Sequence, residues 1–76
     1  MPLSELPIGA DAEIVRIGAC GEIKRRLLEM GVVRGSRVVV ERVAPLGDPI
    51  EIHVKGYHLS LRREEAAMIE VKKLDE

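Results

Sequence analysis

Pro45-Leu46-Gly47-Asp48-Pro49 is the stretch that decides the fold. Two prolines, a glycine and an aspartate within five residues cannot continue a strand on either side, so they form a stiff, extended turn. Before it lies Arg37-Val38-Val39-Val40-Glu41-Arg42-Val43, and after it Ile50-Glu51-Ile52-His53-Val54. Both are short and rich in β-branched residues, as strands are. The centre of the chain is therefore a long hairpin with a rigid tip.

Working outward, Lys55-Gly56 separates Ile50–Val54 from a third run, Tyr57 to Arg62. A two-residue X-Gly link between alternating segments predicts a tight hairpin. Its register sets Val54 against Tyr57, Ile52 against Leu59 and Ile50 against Leu61. All six then share one face, and a slip of one residue would turn one set to solvent.

Upstream, Ala12 to Ile17 reads as a first strand, with Ala12 and Ile14 on one face and Val15 and Ile17 on the other. Glu22 to Met30 is a helix. Ile23, Leu27 and Met30 make its apolar stripe, Glu22 and Arg26 pair at i,i+4, and Gly31 suits a left-handed C′ position. Leu28 lies off the stripe, at the core rim or exposed to a partner. Leu3, Leu6 and Ile8 are available to plug one end of the core. Arg34-Gly35-Ser36 is a turn, Glu64-Glu65-Ala66-Ala67 one helical turn, and Met68 to Lys72 a last strand with Ile69 and Val71 inward. Leu74 to Glu76 is expected to fray.

About five short strands in 76 residues form one domain, residues 1–76, and cannot build two sheets. A mainly β, small, partly open barrel with one short helix after the first strand buries the aliphatic faces and limits exposed edges. There is no Phe or Trp and one Tyr, so Ile, Val, Leu, Met and Ala make the core.

The formal net charge is −1. A phosphate-binding domain carries a clear basic excess, so nucleic acid is not an expected partner. Lys24-Arg25-Arg26 is flanked by Glu22 and Glu29 and reads as a solvated helix face. The single cysteine, Cys20, permits no internal disulfide and suits a reducing compartment. It reads as a small, partly buried thiol at the helix start. The N-terminus lacks the charged and apolar regions of a signal peptide, and no apolar run reaches the ~20 residues of a membrane span. A cytosolic protein is expected, without direct membrane insertion. Open strand edges leave room for pairing between copies.

The order and spacing of several short pieces resemble a known family. They are Arg26-Leu27-Leu28-Glu29-Met30-Gly31, then Gly35 with Val38 and Val40, then Pro45-Leu46-Gly47-Asp48-Pro49-Ile50, Gly56, Leu59-Ser60-Leu61-Arg62, and Ala66-Ile69-Val71. Together they are similar to the ferrous iron transport protein A family, over about Leu3 to Val71. The resemblance implies an SH3-like fold and a small cytosolic accessory of the bacterial ferrous iron permease, acting on its cytoplasmic GTP-binding part. It carries over no catalytic residues. A similar domain is appended to iron-dependent repressors, which makes a metal-responsive regulatory domain the alternative.

The residues themselves offer little chemistry. Gly18, Gly21, Gly31 and Gly35 lack the phosphate-loop spacing and its Lys-Ser/Thr ending, so no nucleotide site is expected. No nucleophile has a base and an orienting carboxylate placed for it, so no enzyme activity and no required cofactor are expected. His53 and His58 carry the one metal signal. The hairpin register places them opposite each other on the face away from Ile52 and Leu59, with Cβ atoms roughly 5 Å apart. They could share a transition metal with Glu51, water or a neighbouring chain, although two ligands also describe ordinary solvent-facing residues. The expected partner surface is the tip, Leu46, Gly47 and Asp48, with Leu28 and Arg25 on the helix. Asp48 is expected to accept from backbone N–H groups, and Leu46 either tucks onto the hairpin or faces a partner.

Overall fold

The computed structural model describes residues 1–74. A single 3-10 turn, Leu3–Glu5, leads into β1 (Asp11–Ile17) and α1 (Gly21–Glu29). There follow β2 (Arg37–Val43), β3 (Ile50–Val54), β4 (Tyr57–Leu61), α2 (Arg63–Ala66) and β5 (Ile69–Lys73). The strands form one antiparallel sheet in the order β4-β3-β2-β1-β5. It is the expected mainly β, SH3-like arrangement, open rather than closed into a barrel, with the helix directly after the first strand.

Both hairpins form as their turn chemistry requires. β2 and β3 have the expected bounds. Gly47 sits at φ +88°, and its N–H donates to the Ala44 carbonyl at 2.7 Å. At the second hairpin Lys55 and Gly56 take φ values of 51° and 81°, the two positive angles that match the twist of the strands. The β3–β4 register is the expected one, Ile50↔Leu61, Ile52↔Leu59 and Val54↔Tyr57. Tyr57 departs from it in burial: at the open end of the sheet its side chain is 63 % exposed.

Two irregularities bend the sheet. The register of β1 against β5 shifts between Ile14 and Arg16, which leaves Val15 as an extra residue. That of β2 against β3 shifts between Val40 and Arg42, which leaves Glu41 extra. Each such bulge adds local twist and changes the phase of alternation. The first one corrects the expected placement of Ile17. Ile14 opposes Val71 and Ile17 opposes Ile69, so Ile17 returns to the face of Ile14 and packs against the core.

That core is aliphatic. Leu3, Ile14, Leu27, Ile50, Ile52 and Leu61 are among its fully buried side chains. Leu3 and Leu6 plug it as expected, but Ile8, in the loop before β1, is exposed. α1 docks through Leu27, with Met30 half-buried against the core; Ile23, one turn earlier, is 40 % exposed and outside the core cluster. The helix ends in a Schellman motif. Gly31, at φ +92°, donates to the Leu28 carbonyl at 3.0 Å, and Val32 to the Leu27 carbonyl at 2.9 Å. Arg26 does not pair with Glu22. It reaches Glu65 of α2, while Glu22 lies 4.0 Å from Arg25. Leu74 bonds through its N–H to the Asp11 carbonyl at 2.9 Å, so it does not fray; the rest of that expectation falls outside the described residues.

Candidate functional site

The tip of the β2–β3 hairpin is held from outside as well as from within. Asp48 Oδ1 accepts the backbone N–H of Arg63 at 3.0 Å, across fifteen residues of sequence. Asp48 is thus the expected backbone acceptor, and its donor is the first residue of α2 rather than a neighbour in the turn. The Arg63 guanidinium adds a longer contact to the Gly47 carbonyl at 3.4 Å. Against this fixed frame Leu46 projects alone, 97 % exposed. Leu46 is therefore not tucked onto the hairpin.

Leu28 is 42 % exposed on α1, between two shallow grooves. One, of about 380 Å³, runs between the helix and β1 beside Ile17, Lys24 and Arg34. The other, of about 500 Å³, lies beside Met30, Tyr57 and Leu59. Arg25 is exposed, with Glu22 as its only close acidic neighbour among the described residues. Neither groove contains a tip residue, so the tip and the helix are two patches rather than one pocket.

α2 links them. Its Glu65 is 4 % exposed, accepts the Arg62 backbone N–H at 2.9 Å through Oε1, and meets the Arg26 guanidinium through Oε2. A buried carboxylate needs such partners to offset its desolvation. Sequence reasoning took Glu65 for part of a polar turn. The available signal was its position three residues after Arg62, where a helix-start carboxylate reaches back to the chain.

His53 and His58 lie opposite each other as expected. Their rings stack with centroids 4.9 Å apart and planes 29° apart. Glu51 does not join them. Its Oε2 accepts two bonds from Arg42, at 3.0 and 2.7 Å, and that hydrogen bonding, with the carboxylate's charge, raises the Arg42 pKa. The carboxylate beside the histidines is Glu41, whose Oε1 is 2.7 Å from His58 Nδ1. Among the described residues, no three His, Cys, Asp or Glu side chains converge as a metal cluster. Cys20 is exposed at the N-cap of α1 rather than partly buried, and its thiol makes no capping bond. No described helix is long and apolar enough to cross a membrane.

The comparisons with known proteins agree with this architecture. A Porphyromonas gingivalis protein, a fusion of Fe(2+) transport protein A with the Fe(2+) transporter FeoB, is 49 % identical over 72 residues. The match takes 95 % of this chain and only 8 % of that protein. The solution structure of FeoA from Chlorobium tepidum superposes with a TM-score of 0.93 at 47 % identity, over 99 % of this chain and 71 % of the other. The zinc complex of Stenotrophomonas maltophilia FeoA, described as an SH3 domain protein, gives 0.77 at 34 % identity, over 95 % and 89 % of the two chains. The FeoA domain model matches residues 1–73, and with it the chain belongs to the FeoA family.

Proposed function

We propose that this chain is a non-enzymatic cytosolic accessory of ferrous iron uptake that docks on the cytoplasmic GTP-binding part of the ferrous iron permease. The observation that carries the reading is Leu46, an almost fully exposed leucine on a loop fixed at both ends. An apolar side chain gains nothing from water there, and a backbone already ordered lowers the entropic cost of binding. Leu28 and Arg25 on α1 supply a second contact, with Gly47 and Asp48 shaping the tip. The fusion of a similar domain to a ferrous iron transporter in P. gingivalis supports the choice of partner, since fused domains work at high effective concentration.

The test is GTP turnover by the soluble GTP-binding domain of the permease, with and without this protein, alongside a direct binding titration. Saturable binding with altered turnover is the expected result. No binding at high micromolar concentration refutes the proposal.

A further inference from the structure

On the outer face of the sheet, a carboxylate meets the histidine pair. Val38 and Val40 are buried, and Val39 and Glu41 alternate with them on the other face, where Glu41 lies beside His58, two strands away. An ionised carboxylate can only accept, so the 2.7 Å contact makes His58 Nδ1 the donor, and in the neutral ring the lone pair is then on Nε2. A carboxylate on one imidazole nitrogen is the usual support for a histidine that ligates through the other. His53 stacks on that same ring at 4.9 Å.

We propose that His53 and His58 form an open two-imidazole site for a late first-row divalent cation of the zinc type, with Glu41 as the carboxylate that sets the His58 tautomer. Tetrahedral ligation at about 2.0–2.1 Å needs the two nitrogens about 3.3 Å apart. Stacked rings do not converge their in-plane lone pairs, so ligation requires both rings to turn about their side-chain bonds out of the present stack. Water completes the coordination, because no third protein ligand converges among the described residues. Neutral imidazoles alone favour the copper, nickel and zinc end of the divalent series over ferrous iron. The site does not rest on the docking reading, since it uses neither the tip nor α1.

The test uses the untagged protein with zinc chloride in a non-coordinating buffer, by calorimetry and by NMR of the imidazole nitrogens. One ion per chain should bind, with the ring signals of both His53 and His58 shifting. His53→Ala and His58→Ala should each weaken binding at least tenfold. Glu41→Gln should keep the stoichiometry and weaken binding about tenfold, the lower end of what loss of a supporting partner costs. Cys20→Ser should leave binding unchanged. Undiminished affinity in either histidine variant, unmoved histidine signals in the parent, or loss of binding in Cys20→Ser overturns the site. Glu41→Gln binding as tightly as the parent overturns the role of Glu41.

Discussion

Replacing Leu46 by alanine separates binding from folding. The side chain is 97 % exposed, so the fold holds almost none of its apolar surface out of water. The turn is held instead by the bonds of Gly47, Ala44 and Asp48, none of which involves the Leu46 side chain. Leu46→Ala should therefore leave the thermal midpoint within the small range of ordinary surface changes, about 0.5 kcal/mol. Docking is another matter. Burying the three carbons that distinguish leucine from alanine contributes about 2 kcal/mol at roughly 0.8 per group. Losing that weakens binding about thirtyfold. The assay is a calorimetric titration against the soluble GTP-binding domain of the permease, paired with a melt of each variant. A midpoint lowered by several degrees would return Leu46 to the core. An unchanged Kd beside an unchanged midpoint would remove the tip from the interface.

Other perturbations follow from the packing. Leu27→Ala, at the sole fully buried position of α1, should cost 2–5 kcal/mol and be read as a loss of cooperative melting at a much lower temperature. Gly31→Ala meets open space around its new methyl group but must keep φ near +92°, so it should cost about 1–2 kcal/mol in denaturant unfolding. Arg26→Met leaves Glu65 with the Arg62 N–H alone and should lower stability by about 1–2 kcal/mol, reduced from the range for charged hydrogen bonds because Arg26 is half in solvent; Glu65→Gln should recover part of it. Ser36→Ala removes a buried hydroxyl that has no protein partner among the described residues, and should raise the unfolding free energy by about 1 kcal/mol.

The hairpins were legible because their evidence is local. Lys55-Gly56 and the proline-bounded tip specify turns, and turns fix the register of everything between them. The same register brings His53 and His58 together. The two bulges were not legible, since alternation in sequence assumes one residue against one. Val15 and Glu41 each break that count: the first returns Ile17 to the core, and the second sets Arg42 opposite Glu51, which holds Glu51 there while Glu41 meets His58. Ile8, Ile23 and Tyr57 are apolar by type and exposed because they sit at the margins of a small core. Periodicity says which side a residue faces, not where the packing stops. Glu65 was hidden for a related reason: its main partner, Arg26, lies thirty-nine positions away on another helix.

The paired contacts of α2 give this short helix a mechanical character. Asp48 grips its first residue and Arg26 grips its third, so one four-residue segment is clamped to the loop on one side and to α1 on the other. It acts as a truss between two otherwise separate projections. The position of the loop relative to α1 is therefore set by these two contacts of one short helix.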